Sequence, residues 1–488
     1  MSAFSEVLRK TTQDHNIVIT RLAQTAEIDR TTLQHILSGK RMPNKEQMNK
    51  LIHTIPIPPR AKMQLLQAYE IAEYGADKFR QREKIKEIIE KVAFASALKP
   101  NTAASLQSIP MSSANETEDL YGILAINDAL TRILHAEKES LTFFMPSSFP
   151  FFYDALFTRY TACSTLTVTC LLSLSNAKNS TMKNLEYLEA FIPFFASPKR
   201  GFQAHYIYGD GFSHDILAVP FPYFICTNRY TLALSAEMDC AILTKSEAIM
   251  RAYRKICQNF LNLATSLYVS PSLSELLDLY PKCDSSRKIF SAIENQPCFQ
   301  WYLDEETIQK YAIANSAEDA ALIRKYTDYI FELRKEPNFS TVFGQEGLDF
   351  FVETGRIAVW PPHLSRPLDI SDRINFLRLM LHDIEKDKFH CRLANTSKFT
   401  VPHHTSNIGV RGKTVIIECL DYVTPNVKNI CLTEEFIVDA FTDFFLHLPN
   451  TNLVHSKDDT MKVIETALAK LESEASCQKA IMHPVPGN

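Results

Sequence analysis

The sequence predicts a multidomain protein in which an all-α N-terminal domain of five helices precedes a mixed α+β body. Three observations predict this fold class. The chain has 488 residues, which is more than one ordinary domain needs. Apolar residues in the first part recur at helical spacing, whereas short strand-like apolar runs alternate with amphipathic helices further on. The composition, with 45% hydrophobic and 22% charged residues, is typical of a globular protein.

Changes in residue pattern divide the chain into four parts. Residues 79–94 form a charged helix with Ile85, Ile88, Ile89 and Val92 on one face. This face could belong to a connector, a dimer seam or a cover for the body. Ser, Ala, Asn and Thr dominate Lys99–Asp119, which we interpret as a linker. The predicted parts are 1–76, the helical domain; 77–119, the charged helix and linker; 120–270, a first α/β domain; and 271–488, a helical and then α/β C-terminal domain.

Charge is distributed unevenly along the chain. Residues 1–99 carry 17 Lys and Arg against 11 Asp and Glu, although the whole chain has a formal net charge of −4. A basic N-terminal part followed by an acidic body is expected of a chain whose N-terminal part binds a polyanion. Two unrelated domains would give the same asymmetry, so the charge pattern supports this interpretation without establishing it.

Composition also bears on the cellular compartment. The apolar runs are far shorter than the roughly 20 residues that a bilayer span needs, and the N-terminus has no signal-peptide pattern. None of the 11 cysteines has a partner at CxxC spacing. We therefore expect a cytoplasmic protein with no membrane contact, in which Cys170, Cys226 and Cys431 are small buried hydrophobes.

The helical domain has the pattern of helices joined by tight corners. Asp29 is placed to cap one helix at its start, and Gly39 is placed to end it in a left-handed conformation. Pro43 blocks its continuation, and Asn44 caps the next helix, Lys45–Ile55. A fifth helix starts at Pro58 and Pro59 and runs to about Tyr74. The apolar positions at helical spacing are Val18, Leu22, Ala23, Ala26, Ile28, Leu33, Ile36 and Leu37.

Leu22-Ala23, Ile28, Leu33, Ile36-Leu37 and the segment 38–43 together carry a family resemblance. They resemble the Cro/C1-type (XRE-family) helix-turn-helix, and the resemblance is confined to about the first 75 residues. It implies a five-helix domain that binds double-stranded DNA and regulates transcription. One position departs from the family, which usually has Gly in the turn where this chain has Glu27.

The resemblance assigns a recognition helix whose first turns face base edges in the major groove. Arg30 can pair with guanine, while Lys40 and Arg41 after the helix would contact phosphate. A helical bundle whose polar residues simply face water is the alternative interpretation. The predicted DNA-binding residues are Arg30, Thr31, Thr32, Gln34, His35, Lys40 and Arg41.

The body is predicted to mix strands and helices. The predicted strands are 141–145, 166–174, 202–208, 223–227, 230–234 and 414–418, and the predicted helices are 151–160, 182–195, 246–267, 371–386 and 434–447. We interpret Ser272–Leu333 as mostly helical and Glu346–Trp360 as strand-like. The segment from Phe202 to Thr244 weakly resembles the segment from Phe389 to Thr433, and we call this resemblance the echo. An internal duplication of the body and a chance similarity both explain it.

The body carries no recognisable catalytic motif. Glycine-rich phosphate loops, GxSxG and HExxH are all absent from the sequence. His403-His404 with His390 or Cys391 could bind a metal, but a polar loop is the favoured interpretation. Trp360-Pro361-Pro362 and the aromatic stretch Phe143–Tyr153 could line a pocket, although core packing is the commoner use of such residues. We therefore predict no catalytic residues, no metal and no cofactor.

These observations lead to one functional hypothesis with two rivals. The chain is expected to be a dimeric, sequence-specific DNA-binding regulator whose body responds to a small molecule or a protein partner. The first rival is an interaction adaptor whose helix-turn-helix does not read DNA, and the second is an enzyme with a DNA-binding domain attached.

Overall fold

The structure is a computed structural model, in which the chain divides into two compact units, residues 1–83 and 84–488. It describes residues 3–97, 116–177, 181–209, 220–279, 290–335, 339–402, 406–420 and 427–482. The predicted linker, Lys99–Asp119, lies outside these residues up to position 115, but its end is wrong because Thr117–Asp119 belong to the first strand of the body. Within the described residues no helix combines the length and the apolar composition needed to cross a membrane.

The first unit contains five complete helices packed on one apolar core. Their bounds are α1 Ala3–Asp14, α2 Ile19–Thr25, α3 Arg30–Leu37, α4 Lys45–Thr54 and α5 Pro59–Tyr74. The start of α5 at Pro59 agrees with the expected preference of proline for the first helical turn. Asn44 and Gln47 form a reciprocal capping box at the start of α4, so the predicted cap is confirmed.

The predicted core of the first unit is also largely confirmed. Leu33 and Ile36 of α3 are fully buried, and they pack with Leu22, Ala23 and Ala26. Val18 is the exception among the predicted apolar positions, since it precedes α2 and is 62% exposed.

The charged helix, α6 (Ala76–Ala97), covers the body. Ile85, Ile88, Ile89 and Val92 are fully buried in the core of the second unit. Of the three interpretations of this apolar face, the cover for the body is the one that the structure supports.

The second unit begins with an eight-stranded mixed sheet. Its strands are β1 Thr117–Tyr121, β2 Ser140–Phe144, β3 Thr167–Leu174, β4 Phe202–Tyr208, β5 Tyr223–Thr227, β6 Thr231–Leu234, β7 Cys240–Thr244 and β8 Thr265–Ser266, and its helices are α7 Ile123–Ala136, α8 Pro150–Ala162, α9 Thr181–Ala196 and α10 Glu247–Leu263. The strand order is β1-β7-β6-β5-β2-β3-β4-β8. β2, β3 and β4 are parallel, whereas β5, β6 and β7 form an antiparallel meander.

A seven-stranded sheet follows in the same unit. Its strands are β9 Tyr268–Val269, β10 Phe290–Glu294, β11 Phe339–Phe343, β12 His390–Leu393, β13 Ser406–Arg411, β14 Thr414–Leu420 and β15 Val427–Leu432, and its helices are α11 Leu273–Leu279, α12 Glu305–Tyr311, α13 Ala317–Leu333, α14 Gln345–Thr354, α15 Ile370–Glu385, α16 Glu435–His447 and α17 Lys457–Met482. The strand order is β12-β11-β10-β13-β14-β15-β9.

The two sheets share one six-strand arrangement. β4-β3-β2-β5-β6-β7 in the first sheet corresponds to β12-β11-β10-β13-β14-β15 in the second. In both, three parallel strands are followed by an antiparallel meander, and a helix comes next, α10 or α16. The two segments of the predicted echo, beginning at Phe202 and Phe389, lie at the corresponding strands β4 and β12.

Both sheets contribute to one apolar core. The inward faces of the strands meet there with side chains of α6 to α9 and α16. A second core covers the other face of the second sheet and includes α11 to α15 and α17. A mixed α+β body is therefore observed, and its two sheets share a core within one unit.

Three predictions for the body differ from the structure. Glu346–Trp360 is not strand-like, because α14 occupies its first half and places Leu348, Phe351 and Val352 on a buried helical face. The region 272–333 is less helical than predicted, because it contains β10. The predicted helix 246–267 also ends early, since β8 begins at Thr265.

Candidate nucleic-acid interface

The start of α3 is fixed by a side-chain cap. Asp29 Oδ1 accepts a hydrogen bond from the backbone N–H of Thr32 over 3.0 Å, and Asp29 has the extended ψ that a capping residue needs. This bond holds the pKa of Asp29 below its ordinary value. The cap therefore fixes where the helix begins, and with it which side chains occupy the first turn.

The first two turns of α3 present a polar face to solvent. Arg30 and Gln34 are exposed one turn apart, and so are Thr31 and His35 in the adjacent row. Thr32 is half-buried beside them. Leu33 and Ile36 anchor the opposite face, so the orientation of this polar face is set by the core.

The end of α3 is closed by a Schellman motif. Gly39 has a φ of +74° and donates to the carbonyl of Ile36, and Lys40 donates to the carbonyl of His35 over 2.9 Å. The predicted left-handed glycine is confirmed. The motif turns the chain sharply, so that Lys40 and Arg41 leave the helix as exposed cations.

The turn between α2 and α3 carries a strained residue. Glu27 has a φ of +53°, a left-handed conformation that a residue with a Cβ adopts at a cost. Its carboxylate lies 3.3 Å from the ammonium of Lys50 on α4, and Lys50 also lies 3.1 Å from Glu46. The negative charge that the sequence places in the turn is therefore partly offset by a cation.

The structure thus places six of the seven predicted DNA-binding residues in exposed positions on and just after one helix, with Thr32 half-buried. These seven residues are here called the α3 surface. They comprise three cations when His35 is neutral and no carboxylate, and the nearest acidic residue in sequence, Asp29, is engaged as a cap. Such a surface can offer hydrogen-bond donors to base edges and cations to phosphate.

The described residues contain no group of three or more His, Cys, Asp or Glu side chains able to hold a metal ion. His403 and His404 lie outside the described residues. The three cysteines predicted to be buried are buried: Cys170, Cys226 and Cys431.

A cavity in the second unit was missed by the sequence analysis. It lies between one face of the second sheet and helices α11 and α13, and we call it the body cavity. Of the predicted pocket residues, Trp360 is buried in the core, while its neighbours Val359 and Pro361 line the cavity. The polar residues of its wall are Glu294, Gln300, Tyr326, Tyr329, Asn407, Arg411 and Glu418.

The body cavity is difficult to recognise in a sequence because its polar residues come from separate strands and helices. Glu294 ends a strand that the sequence analysis missed, and Arg411 and Glu418 lie on adjacent strands of the meander. The one available signal is the position of a carboxyl at the end of an otherwise apolar strand.

Comparison with known proteins found no matching family model and no matching curated protein. Three solved structures show weak likenesses. TrmBL2, an archaeal chromatin protein described as showing a novel mode of DNA binding, is 10% identical with a TM-score of 0.22 and covers 45% of this chain and 87% of its own. Phosphatidylserine synthase from Haemophilus influenzae Rd KW20 is 11% identical with a TM-score of 0.25, covering 80% and 99%. Polyphosphate kinase from Porphyromonas gingivalis is 11% identical with a TM-score of 0.21, covering 69% and 52%. Likenesses at these TM-scores carry no argument about function.

Proposed function

We propose that this protein is a sequence-specific DNA-binding transcription regulator that reads DNA with the α3 surface. The observation that carries the proposal is the capped helix α3, whose exposed first turns carry Arg30, Thr31, Gln34 and His35. The resemblance to Cro/C1-type domains assigns the same helix to the major groove. An arginine at the start of such a helix can make two hydrogen bonds to guanine O6 and N7.

We further propose that the protein acts as a homodimer on paired half-sites. One short helix reads only a few base pairs, and two copies give the length of a usable operator. The apolar face of α6 is buried in the body, so a dimer seam would use another surface.

The body is proposed to be the signal-receiving part and to descend from a duplicated unit. The shared six-strand order of its two sheets supports the duplication. The body cavity supports a sensory role, because it gives a ligand a concave site with a few convergent polar groups.

The test is a selection of bound sites from random duplex DNA at two salt concentrations, with the full chain and three variants. Arg30→Ala should cost about 1–3 kcal/mol and blur the motif at one position, because it removes a base contact. Lys40→Ala should weaken binding to all sequences alike and reduce the salt slope by about 1, because it removes a phosphate contact.

Arg60→Ala is the matched control. Arg60 is an exposed arginine in the first turn of α5, outside the α3 surface, and its loss should leave the motif unchanged. Wild-type selectivity in Arg30→Ala would overturn the assignment of α3 as the reading helix. Absence of any enriched motif would favour the adaptor, and turnover of a substrate by the body would favour the enzyme.

A further inference from the structure

Among the residues that the structure describes, those lining the body cavity carry more carboxyl groups than cations. Glu294 and Glu418 lie in its wall together with one guanidinium, that of Arg411. The Arg411 guanidinium stacks on aromatic rings, 4.9 Å from the centroid of Phe290 and 5.8 Å from that of Tyr329. Asn407 Nδ2 donates a hydrogen bond to Glu418 Oε2 from the facing strand.

Glu294 is the unusual member of this set. Its side chain is buried, and among the described residues its hydrogen-bond partner is the hydroxyl of Thr341, which donates to Oε1 over 3.2 Å. A buried carboxylate without a cation is costly, so the group holds its proton instead. Burial accordingly raises the pKa of Glu294 to about 8, and the charge of Glu418 adds to this effect.

We propose that the body cavity binds a small organic cation, a primary ammonium on a short apolar body, with the ammonium donating to Glu294. The wall of the cavity offers that cation the carboxyl of Glu294 and the rings of Tyr326, Tyr329 and Phe339. This inference rests on the proposed sensory role of the body, and it names the ligand class of that role.

The size of the cavity limits the ligand. The cavity has a volume of about 60 Å³, whereas a cavity that holds one water needs roughly 10–15 Å³. The space therefore suits a molecule of a few heavy atoms. Leu273, Leu277, Val359 and Ile416 supply the apolar wall for its hydrocarbon part.

The experiment compares three probes on one carbon skeleton by titration calorimetry of the full chain. They are 3-methylbutan-1-amine, 3-methylbutan-1-ol and 3-methylbutanoate, which differ in having an ammonium, a hydroxyl or a carboxylate. The amine should bind, and the other two should bind at least tenfold more weakly. Equal binding of the alcohol or the carboxylate, or no binding of the amine at millimolar concentration, would overturn the proposal.

Two variants locate the binding site. Glu294→Gln keeps the shape of the side chain but cannot ionise, so it should weaken the amine at least tenfold. Glu434→Gln is the matched control, because Glu434 is also buried with a raised pKa but caps α16 away from the cavity. Thermal unfolding of both variants checks that they fold. Unchanged amine affinity in Glu294→Gln would place the binding site elsewhere and contradict the assignment.

Proton release provides a second readout. Glu294 must ionise to pair with the ammonium, so amine affinity should fall roughly tenfold per pH unit below pH 8. The other titratable groups whose charges interact with Glu294 are Cys298, Tyr326, Tyr329, Cys391 and Glu418. Calorimetry in buffers of different ionisation enthalpy should detect the release of this proton on amine binding in wild type and not in Glu294→Gln.

These measurements contain no DNA, so their failure is distinct from failure of the proposed regulator. If the protein selects an operator but does not bind the amine, only the ligand assignment is wrong. A protein that binds the amine but selects no operator would keep the cavity assignment and lose the DNA-reading function.

Discussion

At the scale of single residues, Glu27 is the position where the sequence and the local backbone disagree. A left-handed φ favours glycine, and a residue with a Cβ at such a position costs about 1 kcal/mol. Glu27→Gly should therefore raise the unfolding free energy of the first unit. Loss of the exposed ion pair with Lys50 should reduce this gain slightly. It should also tighten DNA binding, because it removes a carboxylate from the turn.

Glu27→Gln separates the two effects. It removes the charge but keeps the strained backbone, so it should tighten DNA binding without stabilising the domain. Denaturant unfolding and DNA titration measure the two quantities independently. Stabilisation by Gln as large as that by Gly would show that charge rather than backbone strain is the cause.

Glu294 makes the stability of the body depend on pH. Its folded pKa of about 8 exceeds the ordinary value of 4.5, so the folded state holds the proton more tightly than the unfolded state does. Its contribution is fully present below pH 4.5 and is lost as pH rises through 8. The denaturant midpoint of wild type should fall relative to that of Glu294→Gln between pH 5 and 8. Parallel pH profiles for the two proteins would contradict this.

At the scale of elements, prediction succeeds where a signal is local. Asp29, Gly39 and Asn44 act within a few residues of themselves, and the structure confirms all three as helix terminators or caps. The strand β10 and the helix α14 were missed because short apolar runs fit either periodicity, and their final state depends on partners far along the chain. The α3 surface was identifiable from sequence because its signals are local. The body cavity was not, because it depends on residues far apart in the chain.

The role of α6 is testable as an element. Ile88 is fully buried in the body core, so Ile88→Ala should cost about 2–5 kcal/mol of unfolding free energy. Phe94 on the same helix is 61% exposed, and Phe94→Ala should cost far less. If the face were a dimer seam instead, Ile88→Ala would lower the oligomeric state measured by sedimentation while leaving the melting of the body unchanged.

At the scale of the whole molecule, the two segments of the weak sequence echo lie at corresponding places in the two sheets. The echo aligns β4 with β12 and the last meander strands, β7 and β15, with each other. Before β4 and β12 the helices differ in number and length, since α12 to α15 have more residues than α8 and α9. If the body descends from a duplicated unit, as proposed, insertions in one copy account for the loss of most of the sequence similarity.

The division of the chain into two units leads to a last prediction about fragments. Residues 84–488 include the buried face of α6, whereas residues 116–488 lack it while keeping β1. Burying one Ile or Val side chain is worth about 1.5–3 kcal/mol, so losing Ile85, Ile88, Ile89 and Val92 removes a stabilisation comparable to the whole 5–15 kcal/mol of a typical domain. The longer fragment should melt cooperatively and resist protease, and the shorter one should do neither. Equal melting of the two fragments would mean that the body closes its core without α6, and that the first unit and α6 are joined to a body that is complete by itself.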